Sequence, residues 1–167
     1  MKFETLVCEV AAVLKAQGRM VVTAESCTGG MISQALTSLA GSTAWFDRAF
    51  ITYSYESKIA MLGVCATTLE NKGAVSQACV EEMALGALQQ SDATVSVSCS
   101  GIAGPGGGTP DKPVGTVWVA WAVWVSGREH ITSHCFHFLG DRQSIREQTT
   151  EAALKGVVQI LLNSAVD

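Results

Sequence analysis

The 167 residues include 48% hydrophobic and only 16% charged residues, which suits one compact domain with a sizeable core. We therefore expect a single domain over residues 1–167. Eleven Lys and Arg against fifteen Asp and Glu give a net charge of -4, which argues against a nucleic-acid partner. Acidic residues interrupt the N-terminal apolar segment, and no apolar run is long enough to span a bilayer. We expect a cytoplasmic protein with no membrane partner.

The hydrophobic pattern changes between helical and extended periodicity along the chain. Apolar residues at helical spacing predict a first helix that ends near Gly18, and later segments follow the same rules. Gly127 separates the last two strands and predicts an antiparallel hairpin. The predicted elements after the first helix are, in order, strand 20–25, helix 31–39, strand 49–54, helix 56–63, a helix capped by Ser76, strands 94–100, 116–125 and 130–138, and helix 142–162.

The segment TVWVAWAVWV, residues 116–125, is apolar on both faces of the predicted strand. Valines 117, 119 and 123 lie on one face with Trp121, and the opposite face carries two alanines and two tryptophans. A sheet that is apolar on both sides needs helices on both sides. The sequence therefore predicts an α/β fold, a three-layer α/β/α sandwich with a mixed, mainly parallel sheet and an antiparallel C-terminal hairpin.

Three strand ends carry polar or glycine-rich segments, namely AESCTGG, TYSYESK and SCSGIAGPGGGTPDKPVG. Ligands in open α/β sheets bind beyond the carboxyl ends of parallel strands. If these strands are parallel, their ends lie on one rim of the sheet. We expect Ser26, Tyr53, Lys58 and the glycine-rich loop to come within reach of one another.

Ser26 has two interpretations from its position at a strand-to-helix turn. Serine is a preferred helix N-cap residue, so its hydroxyl would cap the following helix. Alternatively, Ser26 is a nucleophile whose reaction is assisted by backbone N–H groups of the turn. Neither G-x-S-x-G nor S-x-x-K surrounds Ser26, because the residue three positions on is Gly29.

The candidate base for Ser26 is Lys58, in the first turn of a predicted helix. A helix N-terminus and partial burial both lower the pKa of a lysine, as a catalytic base requires. Tyr53 would relay or position the proton, whereas the alternative for Lys58 is a solvated surface charge. The histidines lie together in the last predicted strand without the spacing of a metal site, and no C-x-x-C pair occurs, so we expect neither a metal nor a cofactor. The histidines are His130, His134 and His137.

The loop GIAGPGGGTPDKPVG matches neither the dinucleotide nor the P-loop pattern. One interpretation is a flexible surface loop, since glycine and proline are dense there. The other is a substrate-binding loop in which Gly101, Ala103 and Gly104 let a ligand approach the backbone. In that case Lys112 and Arg142 would supply positive charge for a phosphate.

A series of motifs resembles the CinA C-terminal domain family, which includes nicotinamide-nucleotide amidohydrolases. The motifs are, in chain order, TAESCTGG, AGSTAWFDRAFITYS, K-x-x-x-L-G-V, GAVS, SGIAGP, KPVGTVWVA and GDRQSIR. The resemblance runs from about residue 6 to residue 162. It implies a metal-free hydrolysis of the carboxamide of nicotinamide mononucleotide, a small-molecule nucleotide, in pyridine-nucleotide salvage.

The resemblance also assigns roles to residues of this sequence. Ser26 is the implied nucleophile, assisted by Lys58 and Tyr53, and the segment Thr28, Gly29 and Gly30 would supply backbone donors to the substrate. Cys27 would be a packing neighbour. The resemblance and the apolar sheet suggest a homo-oligomer.

Tyr55 departs from the family pattern, which has Asn after Tyr-Ser. A phenol at this position would shrink the pocket or change the substrate. Two alternatives therefore stay open: a catalytically inactive nucleotide-binding or regulatory paralogue, and an amidase with a different substrate.

Overall fold

A computed structural model describes residues 2–164, so residue 1 and residues 165–167 of the predicted single domain lie outside the described part. Helices and strands alternate as the periodicity predicts. The helices are α1 (Glu4–Ala16), α2 (Met31–Thr37), α3 (Tyr55–Leu62), α4 (Ala66–Lys72), α5 (Gln77–Gln89) and α6 (Arg142–Ser164), with a 3-10 turn at Ser42–Ala44. The strands are β1 (Val21–Glu25), β2 (Phe46–Ile51), β3 (Val95–Gly101), β4 (Thr116–Val125) and β5 (Arg128–His137).

The described strands form one five-stranded mixed sheet in the order β2-β1-β3-β4-β5. Strand β1 pairs in parallel with both β2 and β3, whereas β4 pairs antiparallel with β3 and β5. The carboxyl ends of β1, β2 and β3 therefore lie at one edge, where Glu25 is in register with Ile51 and Cys99. This confirms that the three polar strand ends share one rim.

Helices cover both faces of the sheet, which confirms the predicted three-layer sandwich. Val119 and Trp121 of β4 belong to a core with α1, α2 and α6, and Ala120 and Ala122 belong to a second core with α5. Each face of β4 therefore buries the residues that its alternation predicts. Within residues 2–164, no helix combines the length and apolar character that crossing a membrane requires.

The largest differences from the predicted elements lie between β2 and α5. The segment predicted as strand 49–54 leaves the sheet after Ile51, because the Ser54 side chain accepts a hydrogen bond from the Ser57 N–H and caps α3. Helix α4 was not predicted, since its seven residues bury only Leu69 and show no helical period. The predicted cap at Ser76 is confirmed.

Gly86 of α5 sets how closely α5 packs against α3. A Cβ atom at this position would lie 1.9 Å from the carbonyl oxygen of Leu62, the last residue of α3. Any side chain would therefore push the two helices apart. Because α3 carries Lys58, this glycine contact helps to set the depth of the lysine in the fold.

Candidate active site

A serine hydroxyl and a lysine amine meet at the end of β1. Ser26 follows this strand, and the Lys58 Nζ donates a hydrogen bond to its Oγ at 3.0 Å. Lys58 is 0% exposed and Ser26 is 8% exposed. The alternative interpretations are wrong for both residues, since the N-cap of α2 is Gly30 and Lys58 is not a surface charge.

The Lys58 amine is buried, and its other hydrogen-bond partners are backbone carbonyls. It donates to the carbonyl oxygen of Thr52 and, at 3.4 Å, to that of Tyr53. Burial lowers the pKa of Lys58 below its ordinary value, because a charged amine is poorly stabilised away from water. A neutral amine keeps two N–H groups for the Thr52 and Tyr53 carbonyls, and its lone pair can then accept the proton of the Ser26 hydroxyl.

Glu25 is the last residue of β1, and its side-chain carboxylate lies at the N-terminus of α2. Its fully buried carboxylate accepts hydrogen bonds from the N–H groups of Gly30, Ile32 and Ser33 and from the Thr28 hydroxyl. These bonds satisfy backbone donors that a helix start otherwise leaves open. The role of Glu25 was missed, although a carboxylate that ends an apolar strand was a visible signal.

Two N–H groups of the glycine turn have partners inside the protein. The Gly30 N–H is taken by Glu25, and the Gly29 N–H donates to the Ser26 carbonyl at 3.0 Å. Thr28 is fully buried. The N–H groups of Gly29 and Gly30 therefore have partners inside the protein, and the predicted donation from Thr28, Gly29 and Gly30 to substrate stays a prediction. The positive φ angles of 59° at Gly29 and 102° at Gly30 explain why both positions are glycine.

Arg146 of α6 holds the outer side of the same turn. Its Nε donates to the Cys27 carbonyl at 3.1 Å and its Nη2 to the Thr28 carbonyl at 2.8 Å. Arg146 was also missed, although it lies four residues after the predicted Arg142, a spacing that places both on one side of a helix.

The family model described as CinA C-terminal domain matches residues 3–161. The chain belongs to the CinA C-terminal domain family.

Relatives of this CinA-family chain are similar over nearly its whole length. It is 49% identical over 156 residues to "Nicotinamide-nucleotide amidohydrolase PncC" of Escherichia coli (strain K12), covering 93% of each chain. It is 45% identical to the protein of the same name from Pseudomonas putida, covering 93% of this chain and 95% of the relative. The crystal structure of competence/damage inducible protein CihA from Agrobacterium tumefaciens superposes with a TM-score of 0.91 at 41% identity, covering 95% of both chains.

Three residues that the sequence predicts for the site of this CinA-family chain contact one another at the rim of the sheet. The Arg142 guanidinium donates to the Gly104 carbonyl at 2.8 Å and to the Tyr53 hydroxyl at 3.2 Å. The Tyr53 side chain is 63% exposed, and only its backbone carbonyl contacts the Lys58 amine. Among the described residues, no hydrogen bond joins the Tyr53 hydroxyl to Ser26 or Lys58, so the predicted proton relay has no supporting contact.

Lys112 belongs to a different group of residues from Arg142. Its Nζ donates to the Lys72 carbonyl at 2.8 Å. Both this Nζ and the Tyr55 hydroxyl lie beside Gly73, at 3.6 and 3.7 Å from where a Cβ would stand. The Tyr55 phenol thus extends toward the α4–α5 connection, and the contact between Ser26 and Lys58 exists in its presence.

Packing accounts for two residues that were predicted to bind substrate. A Cβ at Gly101 would lie 2.6 Å from a Val117 methyl carbon and 2.8 Å from the Thr116 carbonyl oxygen, so this glycine allows β3 to approach β4. Ala103 is buried in the core on the α6 side of the sheet. The close approach that the sequence indicates at these positions is therefore to the protein itself.

The Cys27 thiol belongs to the residue next to Ser26, whereas the three imidazoles belong to β5. A hydrogen bond with Cys99, together with burial, raises the pKa of Cys27 well above its ordinary value. The thiol of Cys27 is thus protonated near neutral pH, which fits its predicted packing role. His130 and His134 line a groove of about 540 Å³ between β5 and α6. Within residues 2–164, no three His, Cys, Asp or Glu side chains cluster as metal ligands do.

Proposed function

We propose that this chain is a metal-independent serine amidohydrolase that converts nicotinamide mononucleotide to nicotinate mononucleotide and ammonia, a step of pyridine-nucleotide salvage. The observation that carries the proposal is the buried contact of 3.0 Å between the Lys58 Nζ and the Ser26 Oγ. Relatives with 45–49% identity that are named nicotinamide-nucleotide amidohydrolase support the substrate.

The first half of the reaction transfers the acyl group to Ser26. The neutral Lys58 amine removes the hydroxyl proton while the Oγ attacks the carboxamide carbon. The carbonyl oxygen takes the electron pair and forms a tetrahedral intermediate. When the C–O double bond re-forms, the C–N bond breaks and the Lys58 ammonium returns the proton to the leaving nitrogen. The products of this half are ammonia and a Ser26 ester.

The second half hydrolyses the ester by the same route. Lys58, neutral again, takes a proton from water while the water oxygen attacks the ester carbon. Collapse of the second tetrahedral intermediate breaks the bond to Oγ, and Lys58 returns the proton to Ser26. Nicotinate mononucleotide leaves and the starting state is restored. The lowered pKa of Lys58 serves both halves, since an ordinary lysine is protonated near neutral pH.

Substrate recognition is proposed at the rim where Arg142 meets Gly104. A guanidinium is well suited to phosphate because of its planar set of donors. The exposed Tyr53 side chain beside Arg142 offers an apolar ring and a polar hydroxyl to the nucleotide. Lys112 is proposed to contribute positive charge from the Tyr55 side of the site.

The test combines ammonia release with ligand binding. Purified protein is given nicotinamide mononucleotide, and ammonia is measured beside the ligand-induced shift in melting temperature, with Ser26→Ala as the control for contaminating activity. Turnover that Ser26→Ala abolishes supports the proposal. Stabilisation without turnover indicates the inactive nucleotide-binding alternative, and neither effect indicates an amidase with a different substrate. The cytoplasmic location and the homo-oligomer stay predictions from the sequence.

A further inference from the structure

We propose that Arg146 is a positioning residue, which holds the turn after β1 so that the Ser26 hydroxyl stays on the Lys58 amine. The kinetic test of this inference rests on the proposed function. The structural argument rests only on the contacts of this turn. It concerns a residue that contacts the backbone of the turn and neither of the two reacting groups.

The two ends of the turn are fixed by contacts that do not involve Arg146. At the entrance, the Thr52 N–H donates to the Glu25 carbonyl at 2.9 Å, just beyond the last paired residues of β1 and β2. At the exit, the Glu25 carboxylate holds Gly30 and the start of α2. Between these anchors lie Ser26, Cys27, Thr28 and Gly29, of which Thr28 is also held by Glu25 through its hydroxyl. The middle of this segment is where Arg146 binds.

The geometry of the guanidinium fixes two successive peptide groups at once. Nε and Nη2 form one edge of a rigid planar fork, and they bind the carbonyls of Cys27 and Thr28 respectively. Each peptide unit is planar and trans, so a fixed carbonyl also fixes the direction of the following N–H. The Thr28 carbonyl shares its peptide unit with the Gly29 N–H, and that N–H donates to the Ser26 carbonyl. Arg146 is thus connected to the Ser26 backbone through one rigid unit.

The contacts of Arg146 distinguish it from a catalytic residue. Its other hydrogen bond, from Nη1 to the Gln143 side chain at 3.4 Å, lies within α6. Among the described residues, Arg146 has no hydrogen bond to the Ser26 hydroxyl or to Lys58. Arg142, one turn earlier, contacts the rim instead and serves as a comparison whose loss should affect substrate binding.

The kinetic test compares Arg146→Lys and Arg146→Ala with Arg142→Gln and with Arg128→Gln, a control at an exposed position of β5. Misplacing a reacting group by about 1 Å can cost about 100-fold in rate, so we expect kcat to fall by about that factor in Arg146→Ala with KM little changed. A lysine offers a point charge without the fork, so Arg146→Lys should also lose most of its kcat. Arg142→Gln should raise KM, and Arg128→Gln should match the wild type.

Rescue by free guanidinium separates positioning from a general loss of folding. Millimolar methylguanidinium added to Arg146→Ala should restore about a tenth or more of the lost kcat, because it can occupy the same fork site. It should not affect Ser26→Ala. Unchanged kcat in Arg146→Ala, or a raised KM with normal kcat, overturns the inference.

A crystal structure of Arg146→Ala tests the inference without reference to any substrate. We expect the distance between the Ser26 Oγ and the Lys58 Nζ to exceed hydrogen-bonding range, in contrast to 3.0 Å in the intact chain. An unchanged distance overturns the positioning role even if the variant is inactive. If wild-type protein releases no ammonia, the proposed function fails, and the crystal structure still decides the role of Arg146.

Discussion

Replacing Lys58 by methionine should change how the stability of the protein depends on pH. The lysine is 0% exposed, and burial lowers its pKa from the ordinary value of 10.5. The unfolded chain keeps the ordinary pKa, so between the two pKa values it binds more protons than the folded chain. The free energy of unfolding therefore rises with pH across that interval. Below it, the folded protein carries the full cost of a buried ammonium group.

The size of the change in unfolding free energy follows from the single proton that Lys58 binds. A difference of one bound proton changes the free energy of unfolding by at most about 1.4 kcal/mol per pH unit. Lys58→Met keeps an unbranched side chain of similar length and removes the titrating amine. The unfolding free energy of the wild type minus that of Lys58→Met should thus increase as the pH approaches 10.5. Lys155→Met is the control, since Lys155 is 59% exposed and forms an ion pair with Glu151 on the surface of α6.

Urea unfolding at intervals from about pH 7 to about pH 10 measures this difference, because groups common to both proteins cancel. If the difference in unfolding free energy stays flat or falls as the pH rises, the claim that burial lowers the pKa of Lys58 is wrong.

In the ammonia assay both Lys58→Met and Lys58→Arg should be inactive, since methionine has no amine and a guanidinium does not deprotonate. For the wild type, kcat/KM should rise with pH through the lowered pKa of Lys58, because only the neutral amine accepts the serine proton.

Three further predictions concern the nucleophile, metals and helix packing. Ser26→Ala should release no ammonia, and its circular dichroism spectrum should match that of the wild type. Cys27→Ala should keep most activity, because the Cys27 thiol of the wild type stays protonated and does not act as a nucleophile. An active Ser26→Ala with an inactive Cys27→Ala would assign the chemistry to the thiol. EDTA should leave turnover unchanged, and a loss that a divalent cation restores would contradict the metal-free mechanism. Gly86→Ala should lower the free energy of unfolding by about 1–3 kcal/mol because of the clash with Leu62. Gly106→Ala is the control, since Gly106 has open space around it. Equal melting temperatures for Gly86→Ala and the wild type would contradict this prediction.

Most of the fold was predictable because it depends on local alternation. Strand β4 buries both of its faces, and the predicted bounds 116–125 are those observed. Helix α4 was not predictable from periodicity, since Leu69 is its one buried residue. The early end of β2 was missed because a capping serine, Ser54, looks no different from a strand serine until the following helix is known.

The site was partly predictable because the carboxyl-end rule brings Ser26 and Lys58 to one rim, and the resemblance to CinA assigns their roles. Their contact distance was not predictable, because it depends on the depth of α3. Arg146 was missed because it binds Cys27 across a separation of 119 residues. The sequence could not show that the Gly30 N–H donates to Glu25, because a left-handed backbone and a ligand-binding backbone favour the same residue type.

The contact between α6 and the turn after β1 has a consequence for the nascent chain. Ser26 and Lys58 leave the ribosome early, and β1 to β5 are all synthesised before α6. At about 5–20 residues per second, Arg146 follows Cys27 by about 6–24 seconds. During that interval Ser26 and Lys58 have both been synthesised, but α6, whose Arg146 binds the turn, has not. The proposed centre is therefore completed only after α6 has been translated, so a chain on the ribosome first carries Ser26 in an unfinished turn.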